Sequence, residues 1–394
     1  MHDVLYLDTA RLGRMSHRTF RAATDVARVA HEQGSTLYFD DFMRCGCSVL
    51  NATELNRYPS FADWQGPARL SDRIRTLAGV GEMWQVVFAS RSANLMSLAA
   101  RLQFRLCRKV LVTDLSWPFY EHLHRREQRE SCNAVYRVEI HDDILRRQWS
   151  SDELLDKLVT QYIAQGCDGL FLPLVDHRGI RLPIQELVTR IRRRAELRFC
   201  VVDAAQAFQQ VPLELSSDYC DLVIAGCHKW LASHVPMGLA FYGREPSRRF
   251  VGESIARWLN DGSLGDPLLQ YTNELFTGNA NAYGETTALL PVLTANAAAI
   301  DAHEGFAGID CSQNREAVLS CIADSHWQAI IPDRSFDSQV ILIESPSHPL
   351  VDPRRHFLQH GVAVTAYDNG IVRLALPKSP IDSHSLRILS AALR

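Results

Sequence analysis

Lysine is scarce in this chain of 394 residues. Only four of its 42 basic residues are lysines, namely Lys109, Lys157, Lys229 and Lys378, and the others are arginines. A reaction that requires a lysine amine therefore has few candidates. A large excess of charge is lacking as well, because the formal net charge is -3, which gives no support for binding nucleic acid or a membrane surface.

Cysteine pairs and long apolar runs are also missing. The ten cysteines are scattered and form no Cys-X-X-Cys pair, which favours a reducing compartment over a disulfide framework. No apolar run approaches the ~20 residues of a membrane span, and the N-terminus lacks the pattern of a signal peptide. We therefore expect a cytoplasmic protein, and the 46% apolar fraction predicts a folded core.

Several common ligand motifs are absent. There is no GxGxxG, so a nicotinamide-binding fingerprint is unsupported, and there is no GxxxxGK[ST] or HExxH. The pair Cys45 and Cys47 is too sparse for a zinc site. These absences leave polar residues at predicted strand ends as the candidates for function.

The central part of the chain alternates strand-like and helix-like segments. Alternation of this kind predicts an α/β sheet that is mainly parallel and flanked by helices. After about residue 290 the pattern predicts a smaller α+β domain. We expect an N-terminal segment over 1–65, irregular apart from a helix near 16–31, a large domain over 66–275 and a small C-terminal domain over 276–394. The predicted strands are 84–90, 109–115, 168–175, 199–203, 222–225, 239–242, 338–344 and 371–376, and the predicted helices are 92–106, 152–165, 184–194, 286–303 and 383–393.

Two chemically active residues follow buried strands of the predicted sheet. Asp203 ends one apolar run, and Lys229 comes shortly after the next. Ligands of such sheets bind outside the carboxyl ends of the strands. A lysine amine can hold pyridoxal phosphate as a Schiff base, and a carboxylate can keep its pyridine nitrogen protonated. The pair therefore favours a pyridoxal-phosphate site over the alternative of a turn-capping Asp203 and a solvated Lys229.

The segments around these two residues resemble the class V aminotransferases. This group of pyridoxal-phosphate enzymes of fold type I includes cysteine desulfurases, kynureninases and isopenicillin N epimerase-like proteins. Asp203-Ala-Ala-Gln206 and His228-Lys229-Trp230-Leu231 are the specific core of the resemblance, and weaker matches extend from Tyr6 to Arg373. The resemblance implies the fold type I transferase architecture, with a large cofactor-binding domain and a smaller C-terminal α+β domain.

The resemblance also implies roles for the matching residues around the cofactor ring. Lys229 would be the Schiff-base lysine and would later move a proton at the substrate Cα, and Asp203 would pair with the pyridine nitrogen. Gln206 would lie near the phenolic oxygen. Asp176 stands where the family often has an asparagine facing that oxygen, and a carboxylate there disfavours a phenolate unless it is protonated or turned away. A turn residue is the equal alternative for Asp176.

Other matching residues would hold the phosphate. Ser92 and Ala93 begin a predicted helix, whose free amides attract an anion. The family usually has a Gly-Thr-Thr-like run there, so one hydroxyl is missing, and helix capping is the compatible alternative for Ser92. His228 is a further phosphate candidate. Asn279 lies in a segment that resembles the loop reaching the phosphate of the neighbouring subunit, although an ordinary turn is the competing interpretation.

Two residues complete the implied site. Trp117 matches the position of the aromatic ring that stacks on the pyridine, and its flat face suits that role better than a place in the core. Arg373 matches the arginine that binds the substrate α-carboxylate, for which a bidentate guanidinium is suited. Flanking apolar residues favour an inward position for Arg373 over a surface one.

The reaction remains open among several outcomes of one site. Desulfurases carry a mobile cysteine shortly before the matching arginine, and the stretch 361–370 has none. We expect an aminotransferase-like enzyme acting on an amino acid, with a C–S or other β-lyase or an epimerase as the alternative. A non-catalytic relative that serves as a binding protein is a further alternative. The resemblance implies a homodimer, and residues 37–64 and 258–271 are where we expect substrate selectivity.

Overall fold

The computed structural model describes residues 4–34, 36–213, 215, 219–277, 287–305, 312–346 and 350–394. Its strands are β1 (Leu5–Tyr6), β2 (Gln85–Ala89), β3 (Lys109–Thr113), β4 (Ala134–Val138), β5 (Gly169–Pro173), β6 (Phe199–Asp203), β7 (Leu222–Gly226), β8 (Gly238–Tyr242), β9 (Gln328–Ile330), β10 (Val340–Glu344), β11 (Val362–Ala363), β12 (Thr365–Ala366) and β13 (Val372–Ala375). Its helices are α1 (His17–Glu32), α2 (Thr36–Cys45), α3 (Ala52–Arg57), α4 (Pro67–Ala78), α5 (Ser92–Leu106), α6 (Pro118–Glu130), α7 (His141–Leu145), α8 (Ser151–Ala164), α9 (Ile184–Arg192), α10 (Ser247–Asn260), α11 (Pro267–Thr277), α12 (Leu290–Gly305), α13 (Ser312–Ala323), α14 (Pro353–Gln359) and α15 (Ser383–Ala392).

A seven-stranded sheet forms the centre of the molecule, in the order β2-β8-β7-β6-β5-β3-β4. The neighbouring strands run parallel except β8, which is antiparallel to both β2 and β7. Strands β5 to β8 are buried along their whole length, as expected for a sheet covered on both faces. The predicted mainly parallel α/β architecture is confirmed.

The helix that begins at Ser92 has the range that its sequence predicts. Apolar residues recur along α5 at helical spacing, and Leu95, Leu98, Ala99 and Leu102 are buried in the core. Burial of this face against the sheet fixes the direction of the helix. Its N-terminus therefore comes directly after β2, at the carboxyl edge of the sheet.

The prediction of an irregular segment over 1–65 is wrong beyond α1. Helices α2 and α3 and two short 3-10 helices, Gly46–Val49 and Pro59–Asp63, occupy this stretch. Tyr58, Phe61 and Trp64 are buried here, and the indole of Trp64 donates to the carbonyl of Phe42 over 3.0 Å. Such short elements have too few turns to show a helical period, so tertiary burial rather than local pattern determines them.

The C-terminal part contains a second sheet. Strands β12, β13, β10 and β9 pair antiparallel in that order, which agrees with the predicted α+β pattern after residue 290. Strand β1 pairs in parallel with β11, so the N-terminus joins this region. The domain boundaries at residues 65 and 275 stay predictions. Within the described ranges, no helix is long and apolar enough to cross a bilayer.

Candidate functional site

A cavity of about 580 Å³ opens at the carboxyl edge of the large sheet. The chain segments that follow β2, β3, β5, β6 and β7 all reach it, as do the N-terminal segment and the small sheet. Sites in α/β sheets are expected at this edge. The lining residues are Ala10, Arg11, Arg91, Ser92, Ala93, Trp117, Phe119, Tyr120, His177, Gln206, His228, Lys229, Pro236, Thr365, Tyr367 and Arg373.

Lys229 lines this cavity with a half-buried side chain. The pKa of its amine is lowered to about 8, chiefly by burial and also by the positive charge of Arg373, although the carboxylate of Asp203 acts in the opposite direction. An amine with this pKa is largely neutral in mildly alkaline solution. It can then act as a nucleophile toward an aldehyde or accept a proton.

Asp203 ends β6, where only 7% of the residue is exposed, and it is not among the residues that line the cavity. Burial raises the pKa of its carboxyl to about 6, while the N–H of Ala205, which donates to Oδ1 over 2.8 Å, and the charge of Lys229 both lower it. A carboxyl with this pKa is ionised at neutral pH. It can therefore face a positively charged ring nitrogen in the cavity.

The N-terminus of α5 provides donors for an anion. The cap residue Arg91 makes no side-chain hydrogen bond to the helix, so no cap competes for the first amides, at Ser92 and Ala93. His228, which lines the same cavity, has a buried Nδ1 without a hydrogen-bond partner in the described part of the chain. The free amides of Ser92 and Ala93 fit the phosphate of pyridoxal phosphate.

Two residues outside the predicted set support the start of α5. Asp266 accepts hydrogen bonds from the amide and hydroxyl of Ser90, at 3.0 and 3.1 Å, and from the side chain of Asn94 at 2.5 Å. Gly238 passes beneath the same turn, where a Cβ would come within 2.6 Å of the amide nitrogen of Ser92. The turn is thus held on both sides, which orders its free amides in advance.

Arg373 lies in β13 and reaches the cavity with only 5% of the residue exposed. Its guanidinium donates to the carbonyl of His177 over 2.9 Å and to the hydroxyl of Thr365 over 3.2 Å, and it forms an ion pair with Asp8 at 3.3 Å. Its Nε has no partner within the described residues. The structure thus confirms an inward Arg373, held in place by groups from three chain segments.

Gln206 also lines the cavity, but both ends of its amide are engaged. Its Nε2 donates to the carbonyl of Ala10 over 2.7 Å, and its Oε1 accepts from the indole of Trp230 over 2.9 Å. These bonds tie the N-terminal segment to the segment that carries Lys229. A contact between Gln206 and a phenolic oxygen would use the second hydrogen of the same nitrogen.

The remaining predicted residues fall in different places. Trp117 lines the cavity and is 48% exposed, so it is not a core residue. Asp176 does not reach the cavity lining: its Oδ1 accepts the amides of Arg178 and Ile180, at 2.9 and 2.7 Å, which is the turn role considered for it. Asn279 lies outside the described residues. The cofactor roles of all three stay predictions.

Sequence reasoning missed several lining residues. His177 follows β5 and could have been found by the rule that polar residues after strands are candidates. Tyr367 lies within 361–370, a stretch considered only for its lack of cysteine. Nothing in the local sequence marks Tyr120 as a functional residue, because it occupies an ordinary apolar position of α6. Among the described residues, 40–64 and 258–271 contribute nothing to the lining, so this chain alone does not support the expected selectivity there.

The segment that carries Asp203 and Lys229 matches a known family. Residues 154–249 match the model described as Aminotransferase class-V. No curated protein sequence matches the chain.

Solved structures share the fold over nearly the whole chain. The complex of the cystine C–S lyase C-DES with cysteine persulfide has a TM-score of 0.70 at 12% identity, covering 100% of this chain and 97% of that one. Alanine–glyoxylate aminotransferase from Nostoc sp. gives 0.69 at 16% identity, with coverages of 100% and 95%. Cysteine desulfurase CsdA from Escherichia coli gives 0.67 at 12% identity, with coverages of 99% and 94%.

These matches confirm the resemblance drawn from the two motifs and the fold class inferred with it. The predictions of an enzyme and of pyridoxal phosphate as its cofactor agree with the family that matches. Residues 154–249 are thus similar to the class V aminotransferases, a family of pyridoxal-phosphate-dependent enzymes, and the chain has the fold type I architecture that its sequence predicts.

Proposed function

We propose that this protein is a pyridoxal-phosphate-dependent enzyme that acts on an amino acid, and that its reaction is aminotransferase-like. The observation that carries the proposal is that Lys229 and Arg373 line one cavity, while Asp203 lies near enough to Lys229 for each charge to shift the pKa of the other group. A binding protein has no physical need for a buried amine, a buried acid and a buried guanidinium in one place, since each is costly to bury.

The residues present fit the cofactor. The free amides of Ser92 and Ala93 and the unpartnered ring of His228 would hold the phosphate, and the carboxylate of Asp203 would face the pyridine nitrogen. Trp117 offers a flat face for the ring. Pyridoxal phosphate, when bound, supplies an electron sink that makes the bonds at an amino-acid Cα labile.

The chain's own residues would then bind the substrate and move its proton. Arg373 is held by Asp8 and Thr365 before any ligand arrives, so it would bind the α-carboxylate without reorganising. Lys229, with its pKa near 8, would accept a proton at Cα and return it. Transamination and epimerisation differ in the atom or face to which that proton is delivered, whereas elimination differs in the loss of a leaving group from Cβ.

The lyase and the epimerase use the same residues and remain alternatives. A desulfurase is disfavoured by the structure's thiols. Among the described residues no cysteine lines the cavity: Cys107, Cys200 and Cys227 are buried with their pKa raised by burial, and the exposed Cys45 and Cys132 lie outside the lining. A thiol held in its protonated form is a poor sulfur acceptor. A homodimer, which the family resemblance implies, is part of the proposal.

Cofactor attachment provides the test. Wild-type protein with pyridoxal phosphate is expected to become yellow, and borohydride reduction should add the cofactor mass to the peptide that contains Lys229. Lys229→Ala should abolish both signals. Lys157→Ala, which changes a lysine outside the cavity, is the matched control and should retain both. A colourless wild type, or label on Lys229→Ala, would refute the proposal.

The class of reaction is tested with the same loaded protein. Incubation with a panel of amino acids and a keto acid should produce a new amino acid if the chain is an aminotransferase. Release of ammonia without a new amino acid would favour the lyase, and inversion of Cα without either product would favour the epimerase.

A further inference from the structure

His177 is a lining residue that the proposed function leaves without a task. It follows β5, and its ring lies edge-to-face with Trp117 at a centroid distance of 5.2 Å and with Tyr367 at 6.0 Å. The two aromatic rings restrict its rotamers from both sides. The imidazole is therefore a fixed part of the cavity wall.

The backbone of His177 is fixed as well. Its carbonyl accepts hydrogen bonds from the guanidinium of Arg373, over 2.9 Å, and from the hydroxyl of Tyr367, over 3.0 Å. The residue that carries this imidazole thus also positions the proposed α-carboxylate ligand. An amino acid held by Arg373 would lie close to the His177 ring.

The neighbouring Asp176 orients the ring. Its Oδ1 is used by two backbone amides, but its buried Oδ2 has no partner in the described structure and lies 3.8 Å from the Nδ1 of His177, which is also unpartnered. The separation is too long for a hydrogen bond, but above the pKa of Asp176, which burial raises to about 7, the negative charge of its carboxylate favours a proton on Nδ1. The ring then presents Nε2 to the cavity as a hydrogen-bond acceptor.

The surrounding charges keep the ring neutral. Burial, together with the smaller effects of Arg178, Arg373, His141 and Lys229, lowers the pKa of His177 to about 3. A neutral hydrogen-bond acceptor disfavours a second carboxylate of the substrate at this point. It favours a substrate group that can donate a hydrogen bond.

We propose that His177 contacts the substrate through Nε2 and that the substrate is an amino acid whose side chain carries an O–H, N–H or S–H donor. This inference rests on the proposed function, because the amino acid must occupy the cavity. The α-carboxylate of such a substrate offers no donor, and its amino group is directed to the cofactor. The side chain is therefore the part left for His177.

The test compares isosteric pairs of amino acids on wild-type protein loaded with pyridoxal phosphate. L-Serine against L-alanine, and L-threonine against L-valine, differ by a hydroxyl, and binding is read from the change in cofactor absorbance. We expect the hydroxyl-bearing member to bind about tenfold more tightly, as for one net hydrogen bond to a preformed acceptor.

Substitutions assign this preference to His177. His177→Phe keeps a ring between Trp117 and Tyr367 and keeps the carbonyl that Arg373 uses, so it should bring the affinities for the two members of each pair close to equal. Asp176→Asn keeps an oxygen for the two amides but places an N–H toward Nδ1, so it should also reduce the preference. His31→Phe, on the exposed end of α1, is the matched control and should retain it.

The outcomes separate the two proposals. A wild type that takes up no cofactor or binds no amino acid refutes the proposed function, and this inference with it. A wild type that binds both members of each pair equally, or a His177→Phe variant that retains the full preference, overturns the inference alone. If His177→Phe fails to fold, Asp176→Asn and the wild-type pairs decide by the same criterion.

Discussion

Lys229 and Asp203 are each shifted toward the neutral form by burial and toward the charged form by the other. The net shifts bring the pKa of the amine down to about 8 and that of the carboxyl up to about 6. The pKa values of these two groups are therefore much closer together than the ordinary pKa values of a lysine and an aspartic acid. Titratable groups whose pKa values are shifted in this way are typical of catalytic sites, because such shifts do not stabilise the folded protein.

Asp203→Asn should stabilise the cofactor-free protein at neutral pH. The folded carboxyl has a raised pKa, so the stability that its protonation provides is present below the unfolded value near 3.8 and is lost as the pH rises through about 6. The uncharged amide of asparagine avoids this loss, and we expect the free energy of unfolding to rise by about 2 kcal/mol at pH 7. Urea unfolding at pH 7 and near pH 4 measures it.

The gain should be confined to the cofactor-free protein. The variant should bind pyridoxal phosphate more weakly, because no charge faces the ring nitrogen. Asp324→Asn, on the exposed surface, is the control and should change neither property. A destabilised Asp203→Asn at pH 7 would contradict the electrostatic interpretation of this residue.

The rate of cofactor attachment should depend on pH through Lys229. Its neutral fraction rises about tenfold per pH unit below the folded pKa and levels off above it. Because that pKa is about 8, attachment should accelerate from pH 6 to 8 and change little beyond about pH 9. Stopped-flow absorbance measures the rate. A rate that still rises steeply above pH 9 would mean that the amine has its ordinary pKa.

The turn between β2 and α5 shows how elements build the site. Asp266, at the start of α11, fixes Ser90 and Asn94, and β8 passes below at Gly238. The turn therefore depends on an antiparallel strand inserted into an otherwise parallel sheet. The amides of α5 are ordered before a ligand binds, which lowers the entropic cost of holding a phosphate.

Gly238→Ala tests this arrangement. The added Cβ would come within 2.5 Å of the carbonyl carbon of Arg91 and 2.6 Å of the amide nitrogen of Ser92, and these are backbone atoms that cannot rotate away. We expect a loss of about 1–3 kcal/mol in unfolding free energy and weaker binding of pyridoxal phosphate. Equilibrium unfolding and a cofactor titration measure the two effects.

Gly81→Ala is the control for this substitution. A Cβ at Gly81 meets no atom within 4 Å, so neither stability nor cofactor binding should fall. Unchanged cofactor affinity in Gly238→Ala would show that the start of α5 does not contact the phosphate.

Elements with a clear apolar pattern could be predicted, whereas several others, among them the long helices α4, α6 and α10, were missed. Helix α5 and strand β6 have the ranges expected from their apolar spacing. Helices α2 and α3 were missed because six to ten residues show too little periodicity and are stabilised by the burial of aromatic residues such as Tyr58 and Trp64. Strand β4 was missed because its residues are mostly half-buried and carry no clear alternation.

The same limit applies to the site at the scale of the whole molecule. The nearness of Lys229 and Asp203 could be predicted because strand ends of one parallel sheet share an edge, whereas Ser92 was chosen through the family resemblance. Arg373 needed the family resemblance, since no rule of local sequence brings β13 to that edge. Tyr367 and the contact of Asp8 with Arg373 could not be predicted, because they depend on how the small sheet and the N-terminal segment meet the large sheet.

The N-terminal segment connects both sheets around the cavity. The amide of Leu5 donates to the carbonyl of Gly361 beside the small sheet over 2.9 Å, while the amide of Gly13 donates to the carbonyl of His228 over 2.6 Å. Between these points, Asp8 accepts from Thr365 over 2.6 Å and pairs with Arg373. The position of the proposed carboxylate ligand is therefore a property of the whole fold rather than of β13.

Asp8→Asn should reveal this dependence. The amide retains an oxygen for Thr365 but leaves the buried guanidinium of Arg373 without a counter-charge, and a buried charge that loses its partner costs about 3 kcal/mol. We expect global unfolding of the cofactor-free protein at lower urea concentration, whereas Asp368→Asn, at an exposed position near the same strands, should leave it unchanged.

A carboxylate ligand would supply the missing charge, so a saturating amino acid should restore more stability to Asp8→Asn than to wild type. Equal restoration in the two proteins would show that the substrate does not use Arg373.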